Sequence, residues 1–200
     1  LVEPQSSGLG GGAFLLTYHS ARGQVRSYDG RETAPAAADE NRFLSDGKAM
    51  SFNAAVNSGK SVGTPGLLRM LELAHRRHGR LSWARLCKPA IDLAEQGFPV
   101  SPRLHAQIAG NRDLFAQLSA RDYFYPEGEP APIGYLLKNP QLADVLKRVA
   151  HQGVDAFYQG EIAQAIVDAV QTHAQAGDLS LDDLKNYRAK ERKPVCSHYK

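Results

Sequence analysis

The spacing of apolar residues changes period once along this chain, at Thr64-Pro65, and that change limits the fold more than any other feature. Before it the pattern is that of strands. Phe14-Leu15-Leu16-Thr17-Tyr18 is aromatic and apolar, Gln24-Val25-Arg26-Ser27-Tyr28 alternates, and Ser20-Ala21-Arg22-Gly23 between them is turn chemistry, which together predict a β-hairpin ending at Asp29-Gly30. Ala34 to Gly63 reads as loop, with a turn at Ser45-Asp46-Gly47 and at most one short helix, from Ala37 to Leu44. Beyond it the period is helical. The expected class is therefore mixed α/β (α+β), with short strands at the N-terminal end in residues 1–63 and a mostly helical remainder in residues 64–200. A chain of 200 residues can bury a real core and reads as one domain, 1–200.

The helical part is punctuated by start and stop signals. Thr64 reads as a cap with Pro65 at the first helical position, and Leu67, Leu68, Leu71 and Ala74 form a stripe ending before Gly79. Ser82 opens a helix with Leu86, Cys87, Ala90, Ile91 and Ala94 on one face, kinked at Pro89 and ending at Gly97. Ser101-Pro102 starts one from Leu104 to about Ala109, and Asn111 or Asp113 starts a short one through Leu118. Tyr123-Phe124-Tyr125-Pro126 follows as an aromatic loop, either plugging a helix junction or lining a groove. Asn139 caps Gln141 to Ala150, Gly160-Glu161 begins a helix bearing Ile162, Ile166, Val167 and Val170, and Ser180 with Asp183 has capping-box spacing for a helix to about Tyr187. An extended tail runs from Lys193 to Tyr199.

Several chemistries are argued against by the same residues. Gly8-Leu9-Gly10-Gly11-Gly12-Ala13 matches a dinucleotide fingerprint in spacing, yet a strand follows it, and phosphate binding needs the N-terminus of a helix there. These glycines instead suit close backbone approach beside a pocket. Glu72, His75 and His78 share a helical face, but Arg76, Arg77 and Arg80 crowd the same end and would repel a cation, so no metal site is expected. Those basic residues suit a helix C-terminus. The balance of 24 Lys and Arg against 21 Asp and Glu gives no case for nucleic acid or an anionic membrane surface, and no apolar run is long enough to span a bilayer. The start Leu1-Val2-Glu3-Pro4 lacks the regions of a signal peptide. Cys87 and Cys196 permit one long-range disulfide but read as two buried free thiols. His19, His105, His151, His173 and His198 have no partner pattern.

Arg31 is the one candidate site residue. The strand before it delivers it into a loop, and alternation along a strand would send Arg31 and Glu32 to opposite faces, leaving the guanidinium free for a ligand. A guanidinium fork matches a carboxylate in two parallel hydrogen bonds, the chemistry that holds an amino-acid substrate. A structural ion pair at a strand end fits the same stretch.

The ordered motifs Glu3-Pro4-Gln5-Ser6-Ser7-Gly8 to Phe14, Arg31-Glu32-Thr33-Ala34-Pro35, Ser61-Val62-Gly63-Thr64-Pro65-Gly66 and Pro89 to Phe98 resemble the γ-glutamyltranspeptidase (glutathione hydrolase) family. The likeness continues more weakly to Tyr187 and Glu191-Arg192. It implies an autoprocessed N-terminal nucleophile hydrolase, of whose sandwich this chain is a partial, incomplete domain from the large subunit. By the resemblance Arg31 binds the α-carboxylate of a γ-glutamyl substrate such as glutathione. The γ-glutamyl group then passes to water or an amino acid, with attack by the N-terminal threonine of the complementary small subunit. Thr17, Thr33, Thr64 and Thr172 are internal and outside any processing motif, so no catalytic residue is expected within the chain. The resemblance implies no cofactor and a periplasmic or extracellular parent. An acylase-like member acting on glutaryl amides and a non-catalytic binding or scaffold domain are the alternatives.

Overall fold

A computed structural model describes residues 1–111, 113 and 117–197. In chain order its strands are β1 (Ala13–His19), β2 (Gln24–Gly30), β3 (Leu44–Ser45), β4 (Lys48–Ala49), β5 (Phe98–Pro99), β6 (Leu136–Leu137) and β7 (Lys190–Arg192). Its α-helices are α1 (Phe52–Val56), α2 (Leu67–His78), α3 (Trp83–Gln96), α4 (Pro102–Gly110), α5 (Leu118–Phe124), α6 (Pro140–Gln152), α7 (Asp155–Tyr158), α8 (Gly160–Gln171) and α9 (Leu181–Asn186). The second half is helical, as the change of period predicts. The residues group into two compact units, one of Leu1–Gly8 with Leu81–Gly153, the other of Leu9–Arg80 with the chain from Val154 onward.

The second of these units is built on an antiparallel sheet of order β1-β2-β7. Gly23 takes the left-handed conformation that closes the hairpin turn. Residues directly opposite each other share a face, so Leu15 with Tyr28 and Thr17 with Arg26 point one way. Helix α2 covers that face. Tyr28, Met70 and Ala74 form its buried core, with Leu15, Leu67 and Leu73 partly buried against it. The opposite face carries Phe14, Leu16 and Tyr18, each about two-thirds exposed, and β1 pairs only with β2 among the described residues. An apolar sheet face and a strand edge are thus open among the described residues.

Helix α2 starts later than Thr64. The N–H of Thr64 donates to Thr33 O (2.8 Å) and its carbonyl accepts from Thr33 N–H (3.4 Å), so that carbonyl is committed to a β-bridge and Gly66 becomes the N-cap. Met70 replaces Leu71 in the buried stripe, and Leu71 faces outward. No helix forms over 37–44. The short helix is α1 instead, where the Ser51 hydroxyl accepts from Ala54 N–H (3.3 Å), and Asp46 and Gly47, both with positive φ, turn β3 into β4. Ahead of the expected tail, β7 joins the sheet edge beside β2, a strand the sequence pattern does not mark, and residues 193–197 form neither strand nor helix. The expected residues of the tail after Ser197 lie outside the described ones.

Burial of Tyr158 ties the helices of this unit to the start of α2. Its hydroxyl donates to Pro65 O (2.9 Å), its ring lies 4.5 Å from the Arg69 guanidinium, and it stacks on Tyr187. Ser180 and Asp183 form the reciprocal capping box that their spacing predicts. Asp183 also accepts the N–H of Ala36 (2.8 Å), fixing the loop after Arg31 to α9.

In the other unit α3 packs along α6. Trp83 Nε1–H donates to Val149 O (3.2 Å), and Asn139 N–H donates to Ala94 O (2.8 Å). Ser82, Ser101 and Asn139 cap α3, α4 and α6 as expected. Helix α3 runs through Pro89, and of its expected apolar face only Ala94 is fully buried, while Leu86 is exposed. Phe98, Val100, Leu104, Ile108, Tyr125, Ala131 and Leu137 form the buried cluster of this unit. Tyr123 and Phe124 belong to α5 rather than to a loop and pack against that cluster, which settles the aromatic stretch as a plug. The helix expected from Asn111 or Asp113 through Leu118 falls largely outside the described residues.

Both cysteines are free as expected, but neither is fully buried: Cys87 is half-buried and Cys196 is exposed. Burial pushes the Cys87 thiol up. No helix among the described residues is long and apolar enough to cross a membrane.

Candidate functional site

Strand β2 ends at Gly30, so Arg31 and Glu32 lie in the short link between the ladder and the Thr33–Thr64 bridge. Side-chain alternation holds only within the ladder, and here it lapses. Arg31 Nη1 sits 3.1 Å from Glu32 Oε2, so the two form an ion pair rather than pointing to opposite faces. That contact lacks hydrogen-bond geometry, and Glu32 Oε2 is buried without a hydrogen-bond partner. The Arg31 side chain remains 69% exposed, whereas that of Glu32 is 27% exposed.

The Arg31 backbone is fixed from two sides. Its N–H donates to Asp29 Oδ1 (2.9 Å), and its carbonyl accepts from the Tyr187 hydroxyl (2.7 Å). Asp29 Oδ2 accepts from Arg192 at 2.9 Å. Asp29 is thereby neutralised by β7, leaving the guanidinium of Arg31 uncommitted to it. The Arg31 N–H, assisted by Arg192 and Lys190, holds the Asp29 carboxyl below its ordinary value against the opposing effect of burial. Burial, with the nearby charges of Asp29 and Glu32, pushes the Tyr187 phenol up. Tyr187 therefore stays a neutral donor.

The Gly-rich turn supports the floor. A Cβ on Gly12 would lie 2.6 Å from Gly30 O and 2.9 Å from Glu32 Cδ, closer than a real Cβ approaches, so the glycine allows the turn to cross directly over the Glu32 carboxylate. Gly8 and Gly10 meet no such constraint, having nothing within 4 Å.

Arg31 opens into a groove of about 480 Å³ that also takes Arg42, Phe43, Lys60 and Ser61. Arg42 is tied inward. Its Nε–H donates to Lys60 O (2.6 Å) and its Nη1 pairs with Asp178, while Nη2 is buried without a hydrogen-bond partner. Lys60 Nζ donates weakly to Leu44 O (3.4 Å). Sequence reasoning found Arg31 but neither Arg42 nor Lys60, because both sit in loops with no periodic pattern. The arrangement is a cationic groove with one exposed planar fork, whose ion-pair partner is a Glu32 oxygen that is itself buried.

The other residues weighed from the sequence have structural partners. Glu72 pairs with Arg69 (3.4 Å) and Arg76 (2.8 Å), and His78 Nε2 lies 2.7 Å from the Tyr28 hydroxyl. His105 Nδ1 lies 2.9 Å from Ala131 O. No group of three or more His, Cys, Asp or Glu among the described residues is arranged to hold a metal ion. Thr64 is buried, and the Thr172 hydroxyl donates to Asp168 O (2.7 Å) within its own helix.

The family model described as Gamma-glutamyltranspeptidase matches residues 1–200. The glutathione hydrolase proenzyme of Bacillus subtilis (strain 168) is 37% identical over 200 residues, which is 100% of this chain and 34% of that protein. Among solved structures, the gamma-glutamyltranspeptidase of Helicobacter pylori superposes with a TM-score of 0.92 at 30% identity, covering 99% of this chain and 56% of that one. The gamma-glutamyltranspeptidase from Pseudomonas nitroreducens gives 0.86 at 33% identity over 96% of this chain and 56% of that one. The chain spans about a third of the length of the curated relatives it matches. By the whole-chain family match, these identities and the shared fold, the chain belongs to the gamma-glutamyltranspeptidase family.

Proposed function

We propose that this chain is the large-subunit segment that holds the substrate α-carboxylate in a γ-glutamyltransferase, or glutathione hydrolase. In this reading Arg31 binds the carboxylate of a γ-glutamyl amide such as glutathione, and the γ-glutamyl group is transferred to water or an amino acid. The observation that carries it is the exposed Arg31 guanidinium over a cationic groove, its backbone held by Asp29 and Tyr187. Binding through a fixed fork orients the amide for attack, which is worth more than charge alone.

Attack itself belongs to a threonine outside this segment, freed by self-cleavage, whose amine serves as its base. The complementary small subunit is the partner. The exposed Phe14, Leu16 and Tyr18 face of β1 supports such a partner, because an apolar sheet face is stabilised by a second layer. No organic cofactor or metal enters the reading. The complete protein would reside in the periplasm or outside the cell, which cell fractionation tests.

The discriminating assay compares γ-glutamyl with glutaryl anilides in the complete protein. Preference for γ-glutamyl supports the transferase reading, and preference for glutaryl supports an acylase in which Arg31 binds a terminal carboxylate. Turnover of neither would leave a binding or scaffold role. The 200-residue segment alone should release no anilide above a mock-purified control, and release would contradict the assignment of the nucleophile.

A further inference from the structure

Register places Thr17 opposite Arg26 and His19 opposite Gln24 on the sheet face that α2 covers. The helix stops too soon to cover them. It ends at His78, whose imidazole meets the Tyr28 hydroxyl at 2.7 Å, and beyond that contact the face of the hairpin lies open. The result is a concavity of about 810 Å³, larger than the Arg31 groove and sharing no lining residue with it. Its walls carry His19, Arg22 and Arg26 from the hairpin, Arg77 and His78 from the end of α2, and Arg80 just beyond it.

Four arginines, from the hairpin and from the end of α2 and the residues just after it, thus line one hollow. Glu191 on β7 answers two of them, accepting from Arg26 at 2.8 Å and pairing with Arg77. Arg22 and Arg80 have no ion-pair partner among the described residues. A helix C-terminus accounts for cations on α2 itself. It does not account for Arg22, which the hairpin carries into the same hollow as Arg80, where like charges without a counter-charge carry a cost in repulsion. An anion between them removes that cost.

We propose that this concavity binds a multiply charged oxyanion of the phosphate class. A guanidinium fork donates in parallel to adjacent phosphate oxygens, and a tetrahedral group accepts from several directions at once, as convergent arginines require. A single carboxylate carries one negative charge against the two positive charges of Arg22 and Arg80. The site stands independently of the Arg31 reading.

The test is isothermal titration of the complete protein at constant ionic strength, with inorganic pyrophosphate in one arm and adenosine diphosphate in the other. One binding event per chain is expected for at least one of them. Tighter binding of pyrophosphate assigns a free inorganic anion, and tighter binding of the nucleotide assigns a phosphate ester. The Arg22→Gln/Arg80→Gln double variant should bind at least about tenfold more weakly, because each substitution removes a charge-assisted hydrogen bond. Either single substitution should give an intermediate loss, and Arg76→Gln, on the same helix but outside the concavity, should give none. Thermal unfolding without anion checks that the variants fold as the parent does. Absence of binding of both anions at millimolar concentration, or unchanged binding in a folded double variant, overturns the proposal.

Discussion

Replacing Gly66 by alanine tests whether the Arg31 backbone is held by the packing around it. A methyl group there would overlap the Gly30 carbonyl oxygen and the Tyr187 hydroxyl, and would lie 2.7 Å from the Gly30 carbonyl carbon. Gly30 closes β2 and cannot retreat without disturbing the ladder. Tyr187 can move, but only by giving up its hydrogen bond to Arg31 O. Overpacking a close crossing costs about 1–3 kcal/mol, and the lost hydrogen bond adds about 1 kcal/mol. The expected loss is therefore about 2–4 kcal/mol. With a urea dependence of about 3 kcal/mol per molar, the midpoint of unfolding should fall by about 1 M. Urea titration of the complete protein, followed by circular dichroism, measures this, with Gly10→Ala as control because nothing lies within 4 Å of its added Cβ. The control should stay within about 0.5 kcal/mol of the parent. Equal midpoints for Gly66→Ala and the parent, or an equal fall in Gly10→Ala, would refute the packing argument.

Other perturbations have definite signs. Asp29 and Asp183 both have carboxyl groups held below their ordinary value in the fold, so the stability they contribute is present above the unfolded value of 3.8 and is lost as pH falls through the folded one. Acid unfolding of Asp29→Asn should accordingly be shallower below that pH than in the parent, and identical acid profiles would remove Asp29 from the account. At the alkaline end Tyr158 and Tyr187 have raised phenols, so their contribution is full below the ordinary value of 10.0 and should decline above it, as thermal melts against pH would report. Ser180→Ala breaks both halves of the capping box on α9 and should cost about 1 kcal/mol in urea unfolding.

What the sequence made legible was local. The hairpin, the caps at Ser82, Ser101 and Asn139, and the capping box at Ser180 depend on residues a few positions apart, and each is present. The errors came where a distant segment overrode a local preference. Thr64 has the chemistry of a cap but is claimed by Thr33 across a bridge, and the unmarked stretch Lys190 to Arg192, ahead of the tail, is drawn into the sheet by pairing of Tyr28 with Glu191. Alternation separates Arg31 from Glu32 only if the strand continues, and it ends at Gly30, where the backbone packs closely against Gly66 and Met70. The same limit applies to the site. Arg31 was marked by its motif, whereas the Tyr187 hydroxyl reaches it from 156 residues away, and Arg42 and Lys60 meet it through folded loops.

The most direct test of Arg31 as a carboxylate clamp is kcat/KM for the complete protein and its Arg31→Lys and Arg31→Ala variants on a γ-glutamyl anilide and on the analogue lacking the α-carboxylate. Removing one partner of a desolvated charge pair costs about 2–5 kcal/mol, or about 30-fold and upward in kcat/KM. Lysine keeps the charge but loses the fork, so its loss should fall at or below the lower end of that range. Arg31→Ala should lose more than Arg31→Lys on the γ-glutamyl anilide, and the two should be nearly equal on the analogue. Self-cleavage should survive in both, because the side chain is exposed and among the described residues it pairs only with Glu32. Parent-like kcat/KM for both variants on the γ-glutamyl anilide would make Arg31 a surface residue paired with Glu32 and contradict the account.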